Sequence, residues 1–463
     1  MTEKPVMTSK LLHNGILYEQ VYNPNNKITS FIGWNPKNNK LDQVDSLKVN
    51  GVEHLPIKDE GLAKKAILLP TNIMEFESVS ALEQEIYKYI YKYVDISKEY
   101  RQKATWYIML SWITDKINTI PYLRTLGDYG TGKTRYEDVI GGLCYKPMFM
   151  SGAVRSAPIY RIIDMWQGTT IFDEFTLHKS DQTEDIIKIL NNGYQRGKPV
   201  IRCASDNYDN LRYFDPFGPK VISSRAPFTD KALESRCITE IMKETDRPDI
   251  PIELPSSFYE KREELRNKLL FYRFKTWDKI NIDKTIDINF GTILPRIKQS
   301  FLPFTVLFQH DKNTLNNFIK QVKQHNSQII DENSTTLDGI IVQTYIDLIS
   351  MCEPYISAAM IRDNIVTNHG FYSNLKASTI GKHLKGLGFE NKLSYIDKRT
   401  VRAVEIDDNR LIHLVQRYIP EINQKDAITT FKNRSKKPTY QKIIEAANGT
   451  NNSNSTNGDL ANE

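Results

Sequence analysis

The feature that most constrains this chain is one octapeptide, GDYGTGKT, from Gly127 to Thr134. An apolar run, PYLRTL, precedes it, and a stretch of helical character, TRYEDVIGGL, follows. Glycines at fixed offsets between a strand and a helix let successive backbone N–H groups converge on an anion, and the helix start adds positive potential. The octapeptide matches GxxxxGK[ST] in full, with both flanks of the type the mechanism needs. Gly127, Asp128, Tyr129, Gly130, Thr131, Gly132, Lys133 and Thr134 are therefore expected to cradle the phosphates of ATP. Lys133 would reach the β- and γ-phosphates, and the Thr134 hydroxyl would bind Mg²⁺.

Downstream, strand-like and helical runs alternate: KPMFMSG, TTIFDE and KVISS are the apolar segments. Such alternation predicts a parallel sheet with flanking helices. Three further sites follow. TTIFDEF ends a buried strand in Asp173 and Glu174. An acidic pair there would read alone as a helix cap. After a full phosphate loop, Asp173 is expected to hold the Mg²⁺ shell and Glu174 to polarise the attacking water. PKVISS ends in Ser223 and Ser224, and Ser224 is a candidate to stand between the γ-phosphate and the water; the alternative is a plain turn residue. Arg236, in ALESRC, is a candidate to enter a neighbouring subunit's site and stabilise transition-state charge. Its bland alternative is a salt bridge with Glu234 or Glu240.

Taken in order, GDYGTGKT, TTIFDEF, PKVISS and ALESRC resemble the motifs of AAA+ ATPases. The run ILNNGYQRGKPVIRC, then FDPFGPKVISS, resembles ATPases found with virus- and plasmid-type primase-helicases. The DEF and SRC elements are also similar to those of minichromosome maintenance helicases. The resemblance spans about Pro121 to Met242, roughly a quarter of the chain. It implies a DNA-dependent ATPase of helicase type, serving replication of a mobile or viral element, with homo-oligomeric rings, hexamers favoured. It also implies a helical lid after the core, where Arg296 in ILPRIKQ is a candidate second sensor of nucleotide. One departure stands out: those helicases commonly carry Asn where this chain has Ser223-Ser224-Arg225.

The expected architecture is thus an α/β P-loop NTPase core of AAA+ type with flanking modules. Residues 1–70 read as a β-rich N-terminal domain, 71–118 as a helical connector, 119–245 as the core and 246–330 as the lid. In the connector, Tyr87, Tyr89, Tyr91 and Tyr93 alternate, which does not place them on one helix face, so core and boundary packing is expected rather than base stacking. Residues 335–419 read as three helices and a hairpin, resembling a winged helix-turn-helix. Its third helix and wing offer Lys382, Lys385, Lys398 and Arg399 to a DNA backbone. Residues 420–463 end in an Asn/Ser/Thr/Gly-rich stretch expected to be disordered.

Composition sharpens little of this. Charge is mild, with 62 Lys and Arg against 56 Asp and Glu. No apolar window approaches the roughly 20 residues of a membrane span, and the N-terminus lacks a secretory pattern. Cys144, Cys203, Cys237 and Cys352 are scattered without metal-ligand spacing, which fits a reducing, cytoplasmic setting. Two other functions remain open on the sequence: an ATP-switched replication initiator or transcription regulator that binds DNA without translocating, and an ATP-dependent protein remodeller.

Overall fold

In the computed structural model, residues 4–151, 155–173, 181–203, 211–309, 311–396 and 399–433 are described. They divide into two compact units, one of residues 1–289 with 295–318, the other of residues 290–294 with 319–463.

The first unit is organised around a five-stranded, all-parallel sheet. Its strands are β1 (Tyr122–Leu126), β2 (Met148–Ser151), β3 (Thr170–Asp173), β4 (Lys220–Ser224) and β5 (Cys237–Ile241). Laterally they run β5-β1-β4-β3-β2. Strands covered by helices on both faces need apolar side chains on both, which is why these runs do not alternate. Phe172 and Ile222 pack with Ile159 and Ile163 of helix Ser156–Trp166 and Ile189 of helix Asp181–Gly193. Ile171 turns to the other face, where a Cβ on Gly141 would stand 2.5 Å from its Cδ1. A hairpin of Val200–Cys203 and Leu211–Phe214 lies between β3 and β4 in sequence.

The N-terminal residues form a four-stranded antiparallel sheet (Lys10–His13, Ile16–Asn23, Ile28–Asn35, Lys40–Val44) and a three-stranded one (Val6–Thr8, Leu47–Val49, Val52–Pro56). These strands lie in the same compact unit as the parallel sheet. Glu19, 1% exposed, accepts from Lys146 and Arg273 at 2.8 Å each, and both of those cations are buried. The Tyr145 hydroxyl also donates to Glu19. Arg273 continues to Asp115 at 2.8 Å, and Lys146 donates to the Ser9 carbonyl. Charges this deep hold only when paired and hydrogen-bonded. The network therefore joins the N-terminal strands to the sheet domain as one body.

Helix Ser256–Thr276 supplies Arg273 and packs within the first unit. It buries Phe258, Leu265, Leu269, Leu270, Phe271 and Phe274. Phe258 meets Tyr89 and Tyr93 of helix Val79–Tyr93, while Phe271 meets Trp34 of the N-terminal sheet. The tyrosine run divides as a helix requires: Tyr89 and Tyr93 are core, while exposed Tyr91 lies against Arg101 and Arg247.

The second unit contains helices Leu337–Ser350, Ala358–Asn368 and Ala377–Leu387, then an antiparallel hairpin of Glu390–Ile396 and Arg399–Glu405. Ser357 caps the second helix through Met360 N, and Gly388 ends the third at φ 93°. Helices Asp408–Tyr418 and Glu421–Lys432 follow, and Ala427 and Phe431 belong to the same core as Ile380 and Leu384. The rest of the tail, 434–463, lies outside the described residues.

Candidate phosphate site and its surroundings

The octapeptide leaves the carboxyl end of β1, the position at which open α/β sheets bind ligands. Gly127 N donates to Ser224 O at 3.3 Å, and Met242 N donates to Leu126 O at 2.7 Å, so the ends of β4 and β5 grip the loop on both sides. A Cβ on Gly127 would lie 2.5 Å from Thr131 Oγ1 and 3.1 Å from Met242 O, which leaves room for glycine alone. Gly132 takes φ 87°, a left-handed conformation natural to glycine, and starts helix Lys133–Val139. Lys133 is buried, and its Nζ donates to the carbonyls of Gly127 (2.9 Å) and Asp128 (2.6 Å). The Thr131 hydroxyl donates to Asp128 O. Thr134 is exposed at the helix start, and Asp128, Tyr129 and Gly130 are exposed at the loop tip.

β4 lies between β1 and β3, in register Ser223 to Thr125 and Ile222 to Phe172. Asp173 therefore ends β3 at the same edge of the sheet as the loop. Glu174, the expected water activator, lies outside the described residues. Ser224 is 2% exposed and its Oγ has no hydrogen-bond partner. Ser223 Oγ lies 3.0 Å from Thr125 Oγ1. Arg225 follows at once, its guanidinium 3.7 Å from the ring centroid of Tyr129 and bonded to that phenol.

Sequence reasoning missed one residue here. Glu137 is 3% exposed, in helix Lys133–Val139, and its Oε1 has no partner. Burial pushes its acid up to about 8; the Ser223 hydroxyl opposes the rise, and Asp173 and Asp138 add to it. The signal that could have found it is spacing, since a residue four after Lys133 and three after Thr134 shares their helix face.

Arg236 and Arg296 stand together, but not at the phosphate loop. Arg236 directly precedes β5, and its carbonyl accepts from Tyr122 N at the start of β1. That is the amino edge of the sheet, five residues of β1 and roughly 15 Å from the loop. Both guanidiniums lie near the Tyr194 ring, 5.3 Å for Arg236 and 5.8 Å for Arg296. Burial and the charge of Arg296 both lower the Arg236 pKa. Arg296 therefore stands beside Tyr194 and Arg236, while Pro251 and Ile252 meet Arg135 next to the loop. The bland reading of Arg236 fails. Glu234 is taken by a bidentate pair with buried Arg124 of β1, and Glu240 accepts from Ser97. The turn that presents Arg236 is thus fixed from below by β1 itself.

In the second unit, Lys382 and Lys385 are exposed on helix Ala377–Leu387, opposite buried Ile380, Leu384 and Leu387. Lys398 and the side chain of Arg399 lie outside the described residues. Lys392 is committed to Glu405 at 2.8 Å, and His383 to Asp338 at 2.6 Å. Over residues 337–419 ten Lys and Arg face nine Asp and Glu, so the cationic character is local to this helix and the wing.

Among the described residues, no helix is long and apolar enough to cross a membrane. No protein-family model matches the chain, and no curated protein matches it. Solved structures that resemble it include the apo C-terminal region of NrS-1, at 9% identity and TM-score 0.33, covering 84% of this chain and 97% of that one. They also include the SCCmec type IV Cch active helicase, at 11% identity and TM-score 0.34, covering 91% and 89%. JCV helicase resembles it at 13% identity and TM-score 0.27, covering 54% and 66%. At these scores the likenesses carry no argument, and the α/β assignment rests on the five-stranded parallel sheet and its helices.

Proposed function

We propose that this chain binds and hydrolyses ATP and couples hydrolysis to moving along or remodelling DNA, as an AAA+ ATPase of helicase type. The observation that carries the reading is the phosphate-loop sequence at the carboxyl end of β1, with Asp173 ending β3 at the same edge. The loop fits a nucleotide's phosphates: Gly127 admits no Cβ, and Ser224 Oγ nearby is buried without a partner. Mg²⁺, when bound, would supply neutralising charge at the β- and γ-phosphates, held by Thr134 and Asp173. Lys133 would exchange its loop carbonyls for phosphate oxygens, Glu174 would accept the water's proton, and Ser224 would orient that water.

The amino-edge arginines give this reading its assembly. Arg236 and Arg296 lie far from their own loop, and Arg236 forms no ion pair with Glu234 or Glu240. In a ring, both would face a neighbouring subunit's nucleotide, with Arg296 acting there rather than in its own chain. Turnover measured with and without single-stranded and duplex DNA tests the activity. Mixing Arg236→Ala with Lys133→Ala protein tests the ring, because mixed interfaces pair an intact loop with an intact arginine. Partial recovery of turnover is expected. No recovery, with co-assembly demonstrated, would remove the role in trans.

DNA contact is assigned to the second unit. Replacing Lys382, Lys385, Lys398 and Arg399 with Gln should weaken duplex affinity and flatten its salt dependence. Each phosphate that loses its cationic partner takes about 0.9 off the log–log slope. Fluorescence anisotropy across a salt series reads this directly. An unaltered slope would favour a protein partner for that surface instead.

A further inference from the structure

We propose that Glu137 is a third carboxyl of the nucleotide centre, holding the water shell of the bound divalent cation from beneath the phosphate loop. The inference rests on the nucleotide reading above and extends it to a residue that reading does not use.

Position is the first ground. Glu137 lies three residues beyond Thr134, so it shares that residue's helix face, about 4.5 Å further along the axis. With Thr134 and Asp173 already assigned to the cation, which takes one or two protein ligands beside the phosphates, that position suits a carboxyl acting through one intervening water. Burial is the second. The side chain is 3% exposed, and Oε1 has no partner. An acid left so is costly, and nothing in local packing requires one there. The neighbours are the third ground. The Ser223 hydroxyl, joined to Thr125 on β1, and the Asp173 carboxylate on β3 both act on the Glu137 acid. It is thereby tied to the two strands that flank and carry the loop.

The cation's chemistry agrees with this arrangement. Mg²⁺ gives up its waters reluctantly and takes one or two protein ligands beside the phosphates. Groups that orient those waters then fix the geometry of the centre. Among the described residues no cluster of three His, Cys, Asp or Glu could hold a metal directly. A carboxyl acting through water is the arrangement that remains for Glu137.

The test uses the full chain, a non-hydrolysable ATP analogue and Mn²⁺ as the probe, with free Mn²⁺ read by electron paramagnetic resonance. Glu137→Gln keeps the volume and replaces the ionisable acid with a neutral amide. Mn²⁺ affinity of the nucleotide complex should fall about 10-fold or more. Metal-free nucleotide affinity and metal-free melting temperature should hold, because the removed acid supported neither. Mn²⁺ affinity equal to the parent's overturns the proposal. So does an equal loss of metal-free nucleotide affinity, which would mark Glu137 as purely structural. If Glu137→Gln does not fold, Ser223→Ala releases the acid without removing it, and a several-fold loss of Mn²⁺ affinity is expected; no loss overturns the proposal. A parent chain that binds no nucleotide would instead defeat the reading of the site, and this proposal with it.

Discussion

Lys133→Ala is expected to lose ATP binding while leaving the fold intact. The ammonium is buried and donates to two loop carbonyls that phosphate oxygens would replace. Truncating one member of a buried, hydrogen-bonded charge pair costs about 2–5 kcal/mol, or roughly 30- to 5,000-fold in affinity. The loop does not depend on this side chain for its shape. Gly127 N to Ser224 O, Met242 N to Leu126 O and Thr131 Oγ1 to Asp128 O all persist without it. Stability should therefore change by no more than about 3 kcal/mol, the scale of two ordinary hydrogen bonds. Isothermal titration with an ATP analogue, paired with a thermal melt, separates the two effects. Parent affinity in the variant would remove Lys133 from the phosphate site.

Glu19→Gln should do the reverse, damaging the fold far from the loop. It strips the charge that compensates Lys146 and Arg273, both buried, while Asp115 can serve only the latter. Breaking a buried ion pair from one side costs about 3–5 kcal/mol, a large share of a typical domain's stability. Acid should have a related effect on the parent. Burial alone would raise the Glu19 acid, but Lys146, Arg273 and Lys10 outweigh it and hold it below the usual carboxylate range. The folded pKa lies below the unfolded value of about 4.3, so the contribution is complete above that pH. It is lost as pH falls through the folded pKa. Denaturant melts from pH 6 down to pH 3 should show stability falling in the parent, with a shallower fall in Glu19→Gln. Equal slopes and equal midpoints would show that the network contributes nothing.

What the sequence disclosed follows the range of the forces involved. The phosphate loop, β1, β3 and β4 were legible because turn chemistry and strand burial are written in contiguous residues. The alternating tyrosines were readable for the same reason, since helix geometry alone separates Tyr89 and Tyr93 from Tyr91. The tie between the N-terminal strands and the sheet was not legible, because the partners of Glu19 lie at 146 and 273, and nothing local to Glu19 announces a buried ion pair. The surroundings of Arg296 were hidden on similar grounds: its neighbour Arg236 is 60 residues away in sequence and is met only through packing around Tyr194. Glu137 is the intermediate case. Its helix face could be read from spacing, but its burial against Ser223 needed the sheet.

β1 carries a consequence of its own. One end becomes the phosphate loop, and midway along it Arg124 grips Glu234, two residues before Arg236. A single five-residue strand, clamped laterally by β4 and β5, thus links what a chain would hold with what it would lend to its neighbour. In the ring proposed above, this strand would stand between the nucleotide one chain holds and the arginine it presents to the next.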